Sequence, residues 1–247
     1  MRRDSNPVRA VLFDFNGVLL DDEPVHFSAY RSLLAPRGIR LTRAAYEERY
    51  LPLDDHSACA RMLADAGWPA ARRRRAIVAR LVRAKRRRYR SLLRRLGAAV
   101  PAGAVRLVRR LAGRAPLAIV SGATRSEITG ALRRAGIAAR FQVVVSAESV
   151  RRAKPAPDGY RQALRRVAAG RPHGVVAIED SPLGILAARR AGLPVIGVAT
   201  TYPPARLRRA GAFAVVRSLA RPERVLALIV RGARSPGARS RGAQKRS

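Results

Sequence analysis

Six short apolar segments recur along this chain, and helical patterns separate most of them. The segments lie near residues 10–14, 116–120, 141–145, 175–179, 194–198 and 212–216. The helical patterns include residues 103–113, 125–135, 158–168 and 182–191. Strands that alternate with helices are typical of a parallel sheet with right-handed crossovers. The sequence therefore predicts an α/β fold built on a doubly wound, Rossmann-like parallel sheet.

A second domain is predicted between the first two strands. About a hundred residues with little strand character separate these strands, which is too long for a single connection. Pro24 and Pro101 lie near plausible hinge points. Residues 231–247 carry no apolar side chain larger than that of alanine, so we expect a disordered basic tail there. The predicted bounds are 1–7 for a basic N-terminal segment, 8–23 and 98–230 for the α/β core, 24–97 for an inserted helical domain, and 231–247 for the tail.

The segment VLFDFNGVLLDDE, residues 11–23, places an isolated carboxylate at the end of the first predicted strand. Val11 to Phe13 suit a strand that is buried on both faces, and Gly17 permits the turn that follows. Open α/β sheets bind ligands at the carboxyl ends of their strands. Asp14 is therefore a candidate nucleophile for phosphoryl transfer. Taken alone, the segment favours a capping or turn aspartate.

Three later segments supply groups that transfer of a phosphoryl dianion requires. Ser121 and Gly122 follow the second strand, where a hydroxyl and backbone N–H groups can hold phosphate oxygens. Lys154 is one of only three lysines in the chain, and an ammonium neutralises charge as a compact point. Glu179 and Asp180 end the fourth strand, and hard oxygen ligands suit Mg²⁺. Singly these are a loop, a turn and a helix start, but their order after strands favours a shared site.

Together the four segments resemble the motifs of the haloacid dehalogenase superfamily. The resemblance is to members with a small helical C1-type cap after the first motif, such as phosphoglycolate phosphatases and β-phosphoglucomutases. It covers roughly residues 8–220 and implies that residues 24–97 are the cap.

The resemblance also implies roles for the candidate residues. Asp14 would be the nucleophile that forms an aspartyl-phosphate, and Ser121 and Lys154 would bind the transferring phosphoryl group. Asp14 and Asp180 would hold Mg²⁺. Glu179 would be a direct metal ligand or a partner of one.

One position departs from the family pattern. The first motif is normally D-x-D-G, and here its second aspartate is replaced by Asn16. In the family this aspartate protonates the leaving oxygen and then activates the hydrolytic water, while its backbone carbonyl binds the metal. Asn16 keeps the carbonyl but loses an acid/base step typically worth ~10²–10⁴-fold in rate. We expect a site that binds phosphate better than it turns it over.

Three explanations for Asn16 remain open at the level of sequence. A cap side chain replaces the acid, or the substrate has a leaving group that departs unprotonated, such as an acyl or aryl phosphate, or the Asn16-Gly17 pair deamidates to aspartate. The cap candidates are Asp54, Asp55, His56 and His26, which lies twelve residues after Asp14, as does a hinge histidine of the phosphoglucomutase branch. Each of these four is also consistent with a solvated loop residue or a helix cap.

Composition is consistent with an enzyme of modest size. A chain of 247 residues with 48% hydrophobic content can bury one α/β core and a smaller insert. The single cysteine, Cys59, excludes an internal disulfide. No signal peptide or stretch of ~18–20 apolar residues is apparent, so we expect a cytoplasmic protein without a membrane span. We also expect a monomer.

The net charge of +35 requires a competing hypothesis. Arginine clusters at 72–75 and 86–90 lie in a helical pattern whose predicted buried stripe is Ile77, Val78, Leu81 and Val82. Such a surface, together with the basic tail, predicts nonspecific polyanion binding and permits nucleic-acid binding through phosphates. The chain is only 5% aromatic, so no base-stacking platform is evident. Arginine is spread over every segment, as a compositional bias would produce.

The sequence therefore predicts a Mg²⁺-dependent phosphatase that acts on a small phosphorylated metabolite through Asp14, with turnover limited by Asn16. The alternatives are a phosphomutase, for which His26 is the hint, and a catalytically silent phosphate- or nucleic-acid-binding protein of the same fold. A true dehalogenase would not need a metal pair. The predicted site comprises Asp14, Asn16 and Lys154 as catalytic residues, Ser121, Gly122, Lys154, His26, Asp54 and His56 as substrate contacts, and Asp14, Asn16, Asp180 and Glu179 as metal ligands.

Overall fold

A computed structural model describes residues 7–51, 53, 55–68, 73–96 and 98–235. The chain divides into two compact units. The smaller unit is Asp22–Ala98, and the larger unit contains the chain up to Asp21 and from Ala99 onward. These junctions differ from the predicted ones by at most two residues. That the smaller unit acts as a cap stays a prediction.

The smaller unit is helical in its described residues. An apolar cluster that includes Tyr30, Met62 and Leu63 is buried between its helices. Val78, Leu81 and Val82 of the predicted stripe are buried in this cluster, and Ile77 packs against it half-buried. The helices are α1 (Glu23–Leu34), α2 (Arg43–Ala45), a π-helical turn (Tyr46–Tyr50), α3 (Asp55–Asp65) and α4 (Arg73–Leu96).

The larger unit contains a parallel sheet, which confirms the predicted fold class. Six strands within the described residues pair in the order β3-β2-β1-β4-β5-β6. The β1, β2, β4 and β5 strands are buried along their whole length, as expected for apolar runs covered on both faces. The strands are β1 (Ala10–Phe13), β2 (Leu117–Val120), β3 (Val143–Val145), β4 (Val175–Glu179), β5 (Val195–Val198) and β6 (Ala214–Val216).

Helices follow the strands, and local signals fix where two of them begin. Thr124 and Glu127 form a capping box at the start of α6, and the Ser181 hydroxyl accepts from the Gly184 N–H at the start of α8. The helices of this unit are α5 (Ala102–Leu111), α6 (Arg125–Arg134), α7 (Asp158–Ala168), α8 (Pro182–Arg190), α9 (Pro204–Arg209) and α10 (Pro222–Arg234).

The predicted start of the tail at residue 231 is wrong. Helix α10 continues to Arg234, because Gly232 and Ala233 are buried. A Cβ at Gly232 would lie 2.9 Å from the ring of Phe213, so the helix approaches the sheet closely here. Residues 1–6 and 236–247 lie outside the described part of the chain. None of the helices in the described ranges is long and apolar enough to span a membrane.

Candidate active site

The central strands of the sheet deliver the predicted core residues to one edge. Strand β1 lies between β2 and β4, so the residues after these strands meet at their carboxyl ends. Asp14 follows β1, Ser121 follows β2, and Glu179 and Asp180 end and follow β4. All four side chains are buried. Buried polar groups concentrated at this edge make it a candidate ligand site.

Lys154 joins two of these carboxylates. Its ammonium donates to Asp14 Oδ1 at 2.8 Å and to Glu179 Oε1 at 2.5 Å. Burial acts to lower the pKa of Lys154, but the charges of Asp14 and Glu179 and the hydrogen bonds to them outweigh burial and raise this pKa above its usual value. Lys154 therefore stays protonated and contributes a fixed positive charge beside Asp14.

The Glu179 carboxylate is engaged by donors on both oxygens. Oε1 accepts from Lys154 and from the Tyr160 hydroxyl at 2.9 Å, and Oε2 accepts from the backbone N–H of Ser181 at 3.3 Å and its hydroxyl at 3.1 Å. A Cβ at Gly184 would lie 1.9 Å from Oε1, so only glycine fits there. This arrangement favours Glu179 as the group that orients Lys154, and as an indirect rather than a direct metal partner.

Asp14 and Asp180 carry an excess of negative charge. Burial, reinforced by the charge of Glu179 and opposed by Lys154, raises the pKa of Asp14 to about 6. Burial, followed by the charges of Asp14 and Glu179, raises the pKa of Asp180 well above its usual value. One oxygen from each of these three carboxylates lies within 4.8 Å of the others. This charge and donor set fits a hard divalent cation such as Mg²⁺, for which Asp14 and Asp180 are the candidate ligands.

Two threonines after β5 hydrogen-bond to Asp180 and to the loop after β1. The Thr201 hydroxyl donates to Asp180 Oδ2 at 2.5 Å, and the Thr200 hydroxyl donates to the Gly17 carbonyl at 2.5 Å. Gly17 has a φ of +71°, and a Cβ there would lie 2.1 Å from Asp180 Oδ2. The loop after β1 therefore touches the Asp180 carboxylate directly. Sequence reasoning missed both threonines, although they closely follow a predicted strand.

Asn16 and Ser121 lie beside each other. The Ser121 hydroxyl donates to Asn16 Oδ1 at 3.5 Å and accepts from the Ala123 N–H at 3.1 Å. Gly122 is exposed, and a Cβ at this position would meet no atom within 4 Å. The Asn16 side chain therefore faces the turn that was predicted to hold phosphate oxygens.

Comparison with known proteins bears on this arrangement. A sequence model described as haloacid dehalogenase-like hydrolase matches residues 8–192, which is more than half of the chain. The chain belongs to this hydrolase family.

Named relatives and a solved structure agree with the family. Fructose-1-phosphate phosphatase YqaB of Escherichia coli (strain K12) is 30% identical over 76% of this chain and 95% of its own length. Validoxylamine A 7'-phosphate phosphatase of Streptomyces hygroscopicus subsp. limoneus is 29% identical over 82% and 91%. A crystal structure of a HAD family hydrolase from Deinococcus radiodurans R1, with bound phosphate and sodium, is 28% identical with a TM-score of 0.70 over 91% of this chain and 97% of that chain.

The remaining predicted residues of this hydrolase lie in the smaller unit, where two of them contact a buried lysine. His26 Nδ1 is 2.6 Å from the Lys85 ammonium, and His26 Nε2 is 3.3 Å from Asp22 Oδ2. Asp55 Oδ1 accepts from Lys85 at 2.6 Å and from the Tyr30 hydroxyl at 2.8 Å. The other two candidates are an exposed histidine, His56, and Asp54, which lies outside the described residues.

Lys85 was missed by sequence reasoning. It lies in the arginine-rich helix α4, yet only 2% of its side chain is exposed. Burial acts to raise the pKa of Asp55, but the charge of Lys85 and the hydrogen bonds from Lys85 and Tyr30 outweigh it and lower this pKa. The available signal was its residue type, because Lys85 is a single lysine among arginines.

The exposed face of α4 is basic, as predicted. The exposed side chains of this helix include those of Arg80, Arg83, Arg87 and Arg90. Binding of polyanions to this face stays a prediction, and most of the proposed tail lies outside the described residues.

Proposed function

We propose that this hydrolase is a phosphatase that releases phosphate from small phosphorylated metabolites, with Asp14 as nucleophile. The observation that carries the proposal is the contact of Lys154 with both Asp14 and Glu179, beside the acidic pair Asp14 and Asp180. A charged lysine and a cation site at one carboxylate neutralise both the nucleophile and an incoming dianion. The relatives described above are named as phosphatases and match nearly their whole length.

Each candidate site residue of the larger unit has a role in this proposal. Asp14 attacks phosphorus and becomes an aspartyl-phosphate, and water then hydrolyses this intermediate. Lys154 and the turn at Ser121 and Gly122 hold the phosphate oxygens, and Glu179 orients Lys154. Asp14 and Asp180, with the Asn16 carbonyl, would hold Mg²⁺. Bound Mg²⁺ would supply positive charge that lowers the cost of the charge built up on the phosphoryl oxygens.

The substrates of the relatives are the first compounds to test. Their names specify a sugar phosphate and the phosphate of validoxylamine A. We propose that the substrate of this chain is a small polar phosphate of comparable size. Neither relative gives additional weight to the phosphomutase alternative.

The deciding experiment is release of inorganic phosphate from p-nitrophenyl phosphate with Mg²⁺ or with excess chelator. We expect release that requires Mg²⁺ and that disappears in Asp14→Asn. The matched control is Asp158→Asn at the start of α7. It removes an ion pair with the exposed Arg152 and should retain turnover. Release that is unchanged in Asp14→Asn would contradict the proposal. Salt-sensitive nucleic-acid binding without any turnover would instead favour the silent binder.

A further inference from the structure

We propose that the preferred substrates are phosphates whose leaving group departs as a stabilised anion, namely a carboxylate, an enolate or a phenolate. This inference rests on the proposed function of Asp14 as nucleophile. It also predicts that alkyl phosphates, including sugar phosphates, occupy the same site but react slowly. The structural basis is that the side chain at position 16, beside the turn expected to hold the phosphate, is an amide, and that the described neighbours Lys154 and Glu179 are engaged by other groups.

The titratable groups around Asp14 are already committed. Among the described residues of the larger unit, those that contact Asp14 or share its acidic cluster are Lys154, Glu179 and Asp180. Lys154 is held by two carboxylates, and Glu179 accepts from four donors. Asp180 accepts from the Thr201 hydroxyl. All three groups therefore already hydrogen-bond within the larger unit.

The side chain at position 16 cannot supply the proton either. Asn16 is the side chain that contacts the Ser121 hydroxyl beside the turn expected to hold the phosphate. A primary amide neither gains nor loses a proton near neutral pH, and a serine hydroxyl is a comparably weak acid. The two groups can hydrogen-bond a phosphoryl group, but they cannot perform general acid catalysis.

Two of the four candidate acids in the smaller unit are committed to contacts within that unit. When Lys85 donates to His26 Nδ1, the ring proton lies on Nε2 and faces Asp22 Oδ2. Both ring nitrogens of His26 are then engaged. Asp55 accepts from Lys85, Tyr30 and, at 3.5 Å, Arg86, so it is held in the ionised form. Neither group is a ready proton donor.

The first chemical step then depends on the leaving group alone. An Asp14 oxygen attacks phosphorus, the bond from phosphorus to the leaving oxygen breaks, and that oxygen departs with the electron pair. Alcohols are acids about as weak as water, whereas phenols and carboxylic acids have pKa values of ~10 and ~4. A phenolate or carboxylate can therefore leave without protonation, whereas an alkoxide leaves far more slowly.

The second step is also slowed. Water attacks the phosphorus of the aspartyl-phosphate, the bond to the Asp14 oxygen breaks, and the electron pair returns to the carboxylate. The proton that water loses must pass to a phosphate oxygen or to solvent, because Asn16 cannot accept it. With acyl and aryl phosphates, whose first step stays fast, the phosphorylated form of Asp14 should therefore accumulate during turnover.

The test is a leaving-group series in single turnover, followed as phosphate bound to Asp14. The substrates are acetyl phosphate, aryl phosphates made from phenols of different acidity, and glycerol 3-phosphate. The proteins are the wild type, Asn16→Asp and Asn16→Ala, with Asp14→Asn as the blank and intact mass to exclude deamidation. We expect the rate of the wild type to fall steeply as the leaving group becomes more basic, and we expect Asn16→Ala to retain that slope.

Asn16→Asp should flatten the slope. We expect a gain of ~10²–10⁴-fold with glycerol 3-phosphate and a change of less than about tenfold with acetyl phosphate. Similar slopes and similar alkyl rates in the wild type and Asn16→Asp would overturn the inference. If no substrate labels Asp14 in any variant, the proposed function itself fails. A lower ratio of alkyl to aryl rate in His56→Ala or Asp54→Asn would assign the proton to that residue and would also overturn the inference.

Discussion

Within the described residues, each unit of this protein places one lysine among carboxylates, and the two clusters differ in how their charge is balanced. In the larger unit, Asp14, Glu179 and Asp180 lie together around a single cation, Lys154. The pKa of Asp14 is about 6, and burial with neighbouring charge raises the pKa of Asp180 as well. The cluster is left short of positive charge.

The smaller unit distributes its donors differently. Several of its described carboxylates accept from a tyrosine hydroxyl: the buried or half-buried Asp22, Glu23 and Asp55 accept from Tyr89, Tyr46 and Tyr30, and the exposed Asp65 accepts from Tyr50. Asp55 has Lys85 as well, and its pKa is lowered. A cluster whose carboxylates have their own donors stabilises a fold. A cluster of carboxylates that repel one another favours the binding of a cation and, with that cation, of a phosphate.

The strongest test of this comparison removes the cation of the smaller unit. Lys85→Met leaves the half-buried Asp55 without its buried cation, which should lower the free energy of unfolding by ~3–5 kcal/mol. The fluorescence of the single tryptophan, Trp68, reports on the unfolding of this unit in urea. Arg83→Met on the exposed side of the same helix is the control, expected within ~0.5 kcal/mol of the wild type. The double variant Lys85→Met, Asp55→Asn should recover part of the loss, and strictly additive losses would contradict the pairing.

Removal of the cation of the larger unit should act on turnover. Lys154→Met leaves Asp14 and Glu179 without their shared ammonium, and we expect phosphate release from p-nitrophenyl phosphate to fall by ~10²–10³-fold. The control is Arg133→Met, which changes an exposed cation of α6. Retention of activity within tenfold of the wild type would show that Lys154 only balances charge.

A smaller effect is expected when Lys154 is kept and its partner Glu179 is displaced. In Gly184→Ala the new methyl group would lie 1.9 Å from Glu179 Oε1, so Glu179 must shift. We expect a stability loss of ~1–3 kcal/mol and slower phosphate release. Gly130→Ala in α6 is the matched control, because its Cβ would meet only Arg134 at 3.5 Å. This control should be neutral or stabilising by up to ~1 kcal/mol, since glycine is unfavourable within a helix. Equal behaviour of the two variants would remove the argument for Glu179.

The smallest expected effect is the pH dependence of Mg²⁺ binding. The folded pKa of Asp14, about 6, lies above its usual value of 3.8. The contribution of Asp14 to the stability of the metal-free protein is therefore present below about pH 4 and is lost as the pH rises through 6. Because Mg²⁺ requires the ionised carboxylate, its apparent affinity should fall by about tenfold per pH unit below 6. Thermal midpoints with and without Mg²⁺ at pH 5 and 7 measure this, and an equal Mg²⁺ shift at both values would argue against Asp14 as a ligand.

Much of the fold could be predicted because its signals are local. The six apolar runs end within about two residues of the observed strands, and each long helix of the larger unit that was predicted is present. That Asp14, Ser121 and Asp180 lie near one another could also be predicted, since parallel topology brings the residues after β1, β2 and β4 to one edge. Residue type and position after a strand are readable without coordinates.

The remaining contacts depend on partners that are distant in sequence. The Lys85 ammonium reaches Asp55, thirty residues away, and His26, fifty-nine residues away. The contact of Thr200 with the Gly17 carbonyl spans 183 residues. No periodicity records such pairs, because they arise only when whole elements pack. The helical end of α10 was missed for the same reason, since burial against the sheet holds Gly232 and Ala233 in the helix.

The placement of the lysines has a practical consequence for chemical labelling. The chain has 51 basic residues but only three lysines, so acylating reagents meet few amines. Lys85 is buried in the smaller unit and Lys154 is largely buried in the larger one, while Lys245 lies outside the described residues. Each unit thus contains one protected amine in its described residues. Peptide mapping after brief acylation should report the opening of each unit separately, without any engineered probe.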